Sequence, residues 1–324
     1  MSTTFIDLFA GIGGFRVALE KAGATCVFSS EINRYALEIY KANFNEDASG
    51  DITQIKEKDI PAHDVLCAGF PCQAFSVLGM KKGFLDTRGT LFFDVARIAK
   101  HHKPKVVFLE NVPGLVSHDK GNTFETIQNT LTDLGYKVYW KILEATMFGV
   151  PQKRRRIFIV AVRDDIKKEF TFPTGSLTDK TMKDVMESNV DANYFISEER
   201  YERIASLKKN GITRFDKFII GPDDFAHALL AVDYEANLIV DKTAPTGSFY
   251  NKQAKFKKTG CKNATIRNLH NLRRLTPNEC RKLQGFPDTF KMPVSNKQAY
   301  FLLGNAVPVP MVAAIFEQIK LVIR

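Results

Sequence analysis

Apolar positions in the first half of the chain come in short runs separated by glycine-rich or polar breaks, with amphipathic stretches between them. Thr4-Phe5-Ile6-Asp7-Leu8-Phe9 reads as a buried strand, and Thr25–Ser30, Asp64–Phe70 and Lys105–Leu109 repeat the pattern. Between them the spacing predicts helices over Phe15–Lys21, Leu91–Lys100 and Thr123–Leu134. Runs of this length, apolar at nearly every position, suit strands covered on both faces, so the alternation predicts an α/β domain. Lys137–Glu144 and Arg156–Val162 add two further strands. From about Lys167 the pattern loosens: Phe170–Ser176 reads as a linker, and short mixed elements follow. Pro308–Ile323 is again apolar-periodic, a helix expected to pack back on the first domain. The chain therefore divides into a discontinuous domain, 1–168 with 285–324, and a smaller, mostly irregular or β domain over 169–284.

Composition changes this picture through charge. The 324 residues are 44% hydrophobic and 25% charged, as in an ordinary globular protein, but the net charge is +10. Between Asp241 and Glu279 there is no acidic residue, while Lys252, Lys255, Lys257, Lys258, Lys262, Arg267, Arg273 and Arg274 are interleaved with Phe249, Tyr250 and Phe256. That span reads as a surface that tracks phosphates and reads bases, so the expected partner is a nucleic acid. The five cysteines lack a C-x-x-C pair, which argues against a disulfide framework and a zinc site, and favours a reducing, cytoplasmic setting. No signal-type or membrane-length apolar segment is expected.

Candidate chemistry sits at the strand ends, where open α/β sheets place ligands. The first strand runs into Gly11-Ile12-Gly13-Gly14, a turn that lets backbone approach a ligand. Its spacing is neither the dinucleotide fingerprint nor the P-loop. Glu31, after the second strand, is placed to accept ribose hydroxyls, and Asp51 beside Gly50 suits an adenine amino group. Cys72 leaves the third strand directly after Phe70-Pro71, whereas Cys67 within the apolar run reads as core. The loop from Ser76 through Lys81, Lys82 and Arg88 combines glycines with positive charge, as a lid over a phosphate backbone needs. Glu110 ends the fourth strand, which brings a carboxylate to the edge shared with Cys72. In Gln152-Lys153-Arg154-Arg155-Arg156, strand alternation would aim Arg154 and Arg156 the same way.

Taken in order, these stretches resemble the bacterial DNA (cytosine-5)-methyltransferase family of restriction–modification type. Phe5–Phe15 resembles the family's cofactor motif, Gly69-Phe70-Pro71-Cys72-Gln73 its nucleophile motif, and Glu110-Asn111-Val112 its catalytic-carboxylate motif. Gln152–Arg156 matches Gln-x-Arg-x-Arg, and Arg274–Cys280 and Gly304–Pro308 resemble the two C-terminal motifs. The match leaves out only about 170 to 270. It implies an S-adenosylmethionine-dependent, Rossmann-like mixed sheet with helices on both faces, and a target-recognition domain over the basic span.

By the same resemblance the cofactor, S-adenosyl-L-methionine, falls to Phe9, Gly11, Gly13, Glu31, Ile32, Asp51, Ile52, Leu91 and Asn305. Cys72 is the implied nucleophile, adding to carbon 6 of a cytosine flipped out of the duplex; Glu110, Arg154 and Arg156 are the implied partners in catalysis. Ser76, Lys81, Lys82 and Arg88 are implied to clamp DNA. Thr246, Ser248, Asn251, Gln253 and Lys255 are implied to read it, with Gly247 in place of the aliphatic residue usual in the recognition motif. A monomer acting on double-stranded DNA, with no metal, membrane or obligatory protein partner, completes the expectation. Rival readings are a transfer-RNA cytosine-5 methyltransferase, whose Cys-Phe-Thr signature is not found, a catalytically inactive DNA-binding relative and, more distantly, a thiol-dependent oxidoreductase.

Overall fold

The computed structural model describes residues 2–71, 91–197, 199–202, 208–209, 212–213, 219–231, 237–241, 248–250, 265–267 and 271–324. A six-stranded sheet forms its centre, built from β1 (Thr4–Leu8), β2 (Thr25–Ser30), β3 (Val65–Ala68), β4 (Val106–Asn111), β5 (Tyr136–Glu144) and, after the two-residue β6 (Gln152–Lys153), β7 (Arg155–Arg163). The order is β2-β1-β3-β4-β7-β5. The strands from β2 to β4 are parallel, whereas β7 pairs antiparallel with both β4 and β5. The sheet is thus mixed, as the resemblance implies.

Strand alternation explains the two layers around it. Phe5, Val65, Cys67, Val106, Phe108 and Phe158 point into one apolar cluster; Ile6, Leu66, Ala68, Val107, Leu109 and Ile159 point into the other. On the first face pack α1 (Gly14–Lys21), α2 (Arg34–Phe44) and the final helix, with Leu19, Ile39 and Ile315 fully buried. On the second pack α3 (Leu91–His102) and α4 (Asn122–Asp133), through Phe92, Val95, Ile127 and Leu131. Each such fully buried side chain contributes about 1.5–3 kcal/mol. Because both faces are covered, β3 and β4 are buried at every position, which is why they read as continuous apolar runs.

The chain returns through α5 (Pro277–Leu283), α6 (Asn296–Asn305) and α7 (Val309–Ile323). Helix α5 starts at a capping box in which Thr276 and Glu279 each accept from the other's backbone N–H. Helix α7 buries Met311, Val312, Ile315, Phe316 and Ile319 against the first face, so the return anticipated from its periodicity is present. The α6–α7 run is apolar and long enough to cross a membrane, but 67% of its most apolar window is buried in the protein.

The smaller region carries short strands: β8 (Lys208–Lys209), β9 (Ile212–Thr213), β10 (Ile219–Ile220), β11 (Ala226–His227), β12 (Leu238–Val240), β13 (Ser248–Tyr250), β14 (Thr265–Arg267) and β15 (Leu272–Arg274). Strands β10, β12 and β15 form one sheet, and β11 pairs with β6, which ties this region to the larger one. The expected linker at Phe170–Ser176 is not loose. Phe170 is buried in the first-face cluster and meets Tyr139 and Phe172 edge-on at centroid distances of 5.6 and 4.9 Å. Two aromatic side chains two residues apart, the first of which also meets Tyr139 of β5, bury too much apolar surface to remain in solvent.

Candidate active site

The β1–α1 turn is shaped by three left-handed residues, Phe9 (φ 55°), Gly11 (φ 55°) and Gly13 (φ 85°). At Gly13 a side chain is also excluded by space, since a Cβ there would lie 2.4 Å from the Phe44 ring. A Cβ on Gly14 would lie 2.6 Å from Val307, so the segment after α6 is packed directly on this turn. At Gly11 a Cβ would meet nothing within 4 Å, leaving open space beside the backbone.

Glu31 fixes the turn from the end of β2. Its Oε2 accepts from the Gly11 N–H at 2.7 Å, and its Oε1 accepts from Ile32 (2.8 Å) and Asn33 (2.7 Å). Backbone bonds between Ser29, Glu31 and Ser49 draw the next segment to the same edge, where the exposed Asp51 accepts from Thr53 N–H and Ile52 is buried. Ile32 is 72% exposed at this rim. Leu91 begins α3 half-buried, and Asn305 ends α6 exposed. Phe9, Gly11, Gly13, Glu31, Ile32, Asp51 and Ile52 therefore converge at the carboxyl edge of β1 and β2, with Asn305 two residues from the Val307 that packs on the turn.

The exits of β3 and β4 lie side by side. Asn111 Nδ2 donates to the Phe70 carbonyl at 2.9 Å, and a Cβ on Gly69 would lie 3.7 Å from Glu110 Oε2. Glu110 is 8% exposed, and Arg156 of the neighbouring β7 reaches its Oε1 through Nε at 2.8 Å. Burial pushes the Glu110 carboxyl above its usual value, while Arg156 and then Arg154 pull it back. Cys72 lies outside the described residues, but Phe70, two positions before it, is tied to Asn111, the residue after Glu110.

Arg154 and Arg156 do not aim together. A break between β6 and β7 turns Arg154 inward, where it is fully buried and donates to the carbonyls of Leu229 (2.8 Å), Gly304 (2.7 Å) and Ala306 (2.9 Å). Acceptors in two parts of the chain take the guanidinium that strand alternation would have aimed together with Arg156, although it stays near enough to Glu110 to lower its carboxyl. Gln152, also fully buried, joins in: its Oε1 accepts from Leu229 N–H at 3.0 Å and its Nε2 donates to the Leu283 carbonyl at 2.8 Å.

A scan against protein-family models matches residues 3–321 to the C-5 cytosine-specific DNA methylases. The chain belongs to this family. It is 40% identical over 306 residues to the type II methyltransferase M.HhaI of Haemophilus parahaemolyticus, covering 94% of this chain and 90% of that protein. The type II methyltransferase M.NlaX of Neisseria lactamica is 43% identical, with 97% of this chain and 95% of the relative covered. Among solved structures, the Schizosaccharomyces pombe Dnmt2 methyltransferase superposes with a TM-score of 0.73 at 22% identity, covering 99% of this chain and 98% of that one. This last likeness speaks to the fold alone.

As a C-5 cytosine DNA methylase, the chain uses a methyl donor, and its strand edge suits one built on a nucleoside. The Glu31 carboxylate is oriented by three N–H groups with oxygen lone pairs remaining for hydroxyls, and the space beside Gly11 is open. The residues expected to clamp DNA, Ser76, Lys81, Lys82 and Arg88, and those expected to read it, Thr246, Asn251, Gln253 and Lys255, lie outside the described residues; Ser248, also expected to read it, begins β13, which pairs with β14.

One basic residue assigned to the DNA surface is elsewhere. Arg273 is fully buried and paired: Nη2 and Nη1 reach Glu279 at 2.7 and 2.8 Å, and Nε reaches Asp241 at 2.6 Å. The two acids that bound the acid-free span are held by this one arginine inside it. The pattern of charge in the sequence showed the span but not that one cation in it neutralises its ends.

Sequence reasoning assigned no role to Asp7. It is fully buried, and neither carboxylate oxygen has a hydrogen-bond partner among the described residues. Burial pushes its carboxyl well up, with Arg16 opposing. A lone acid in an otherwise apolar strand was the available signal.

Proposed function

We propose that this methylase flips a cytosine out of double-stranded DNA and adds Cys72 to carbon 6 of the ring, which makes carbon 5 nucleophilic. The observation that carries the reading is that the β3 exit is tied to Asn111 and passes beside Glu110, which Arg156 holds. Carbon 5 of cytosine is a poor nucleophile, so a thiol must first be joined across the ring. Glu110 hydrogen-bonds ring N3 and the exocyclic amino group, and its raised pKa eases the protonated form that donates to N3. Arg156 orients Glu110 and faces the O2 side, where negative charge builds as the thiolate adds. After methyl transfer a base removes the carbon-5 proton, the double bond re-forms and Cys72 leaves as thiolate.

S-adenosyl-L-methionine, when bound, supplies a methyl group on a sulfonium. Phe9, Gly11 and Gly13 line its amino-acid and adenine portions. Glu31 takes the ribose hydroxyls, while Ile32, Asp51 and Ile52 border the adenine; Leu91 and Asn305 close the site. A duplex base is out of reach of any such pocket, so Ser76, Lys81, Lys82 and Arg88 clamp the opened strand. Residues 169–284 read the DNA sequence through Thr246, Ser248, Asn251, Gln253 and Lys255, and residues 1–168 with 285–324 carry the chemistry. The enzyme acts as a monomer in the bacterial cytoplasm, protecting DNA within a restriction–modification system.

The test is to incubate the protein with S-adenosylmethionine and duplex DNA or bulk transfer RNA, then locate the modified base by sequencing. Carbon-5 methylation of cytosine at one short duplex motif is expected. Methylation confined to RNA would refute the substrate assignment.

A further inference from the structure

We propose that Arg154 is a positioning residue: it sets the cofactor-closing Asn305 by clamping the carbonyls of the residues on either side of it, and ties that clamp to the recognition-side segment at Leu229. The inference rests on the reading of Asn305 as a cofactor residue and concerns what holds it in place.

Asn305 is exposed at the last turn of α6, where helix hydrogen bonding ends and the chain turns into Pro308. Left alone, such a terminus frays. Arg154 Nη2 donates to Gly304 O at 2.7 Å and Ala306 O at 2.9 Å, so one nitrogen grips the carbonyls immediately before and after Asn305. The same guanidinium donates through Nη1 to Leu229 O, while Gln152 Oε1 accepts from Leu229 N–H; both backbone groups of Leu229 are thus held by the Gln-x-Arg stretch.

Close packing reinforces the clamp. A Cβ on Gly304 would lie 2.5 Å from Ala231 N and 2.6 Å from Leu230 C, so a glycine lets the segment after Leu229 lie directly on the end of α6. Beyond Asn305, Val307 rests on Gly14 of the cofactor turn. The guanidinium is rigid, planar and fully buried, and lysine has no matching fork of donors. Its placement therefore determines where Asn305 stands relative to the turn.

The experiment is a double-mutant cycle on the full chain: wild type, Arg154→Met, Asn305→Ala and the double variant, each titrated calorimetrically with S-adenosylhomocysteine. Loss of the charge-assisted bonds should weaken binding on the order of tenfold in Arg154→Met. Asn305→Ala should cost a similar factor, and the double variant little more than either. In steady-state assays Arg154→Met should raise the cofactor KM by a larger factor than it lowers kcat, and Arg154→Lys should recover part of the affinity. If Arg154→Met does not accumulate as folded protein, Arg154→Lys carries the same cycle, with a smaller non-additive loss expected. Strict additivity, or weakened Asn305→Ala with unchanged affinity in the Arg154 variant, overturns the proposal alone. Unchanged affinity in Asn305→Ala overturns it together with the cofactor assignment of that residue.

Discussion

Arg273 offers a sharp test of what holds the acid-free span together at its two ends. Replacing it with leucine leaves Asp241 (2% side-chain exposure) and Glu279 (0%) without their shared cation. Glu279 keeps its other donors, the Thr276 N–H and the Glu187 N–H, both at 2.8 Å, but two carboxylates remain in a site sealed from water. Removing one partner of a buried ion pair costs about 3–5 kcal/mol, because the remaining charge is desolvated without compensation. For a chain of this size, roughly 2 °C of Tm follows each kcal/mol, so Arg273→Leu should melt about 6–10 °C below wild type. The same logic makes a counter-prediction. Changing Arg273, Asp241 and Glu279 together to leucine, methionine and glutamine removes the stranded charges and should recover much of that loss. Calorimetric scans of the single and triple variants decide it. A single variant within 2 °C of wild type, or a triple variant less stable than the single, would refute the view that Arg273 is a buried counter-ion.

Two further predictions follow from local geometry. The imidazole of His63 is buried, and burial pushes its pKa down to about 4. A folded-state value below the unfolded 6.5 means the stability is present above pH 6.5 and is lost as pH falls toward 4; between pH 7 and 5 the loss is about 2 kcal/mol, and His63→Leu should flatten that part of a denaturant-midpoint profile, an unaltered slope counting against it. Gly13→Ala must place a methyl 2.4 Å from the Phe44 ring at φ 85°, so it should lower stability by about 1–3 kcal/mol and weaken cofactor binding; a variant with wild-type midpoint and affinity would show that the turn is not rigid.

Much of the larger domain was legible because its signals are local. The β1–turn–α1 unit, the all-apolar β3 and β4 and the periodic α7 each carry their pattern within one segment, and both-face burial makes that pattern unambiguous. The convergence of Glu31, Asp51 and the glycine turn follows from parallel topology once the strands are recognised. What the sequence did not disclose depends on partners distant along the chain. Arg154 looked like a strand residue alternating with Arg156, but its acceptors are 75 and 150 residues away. Arg273 looked like one more cation in a basic span until Asp241 was brought beside it by the pairing of β12 with β15. Asp7 carried no motif logic beyond its position, and its isolation in the core is a property of packing.

The central claim is that Cys72 attacks cytosine beside Glu110, and a mechanism-based trap tests it directly. A fluorine at carbon 5 cannot be removed as the proton is, so a duplex carrying 5-fluorocytosine at the mapped target site arrests the enzyme after methyl transfer. Incubation with S-adenosylmethionine should give a denaturation-resistant protein–DNA adduct, and peptide mapping should place it on Cys72, with none formed by Cys72→Ala. An adduct on Cys26, Cys67, Cys261 or Cys280, or methylation of normal duplex by Cys72→Ala at the wild-type rate, would contradict the account.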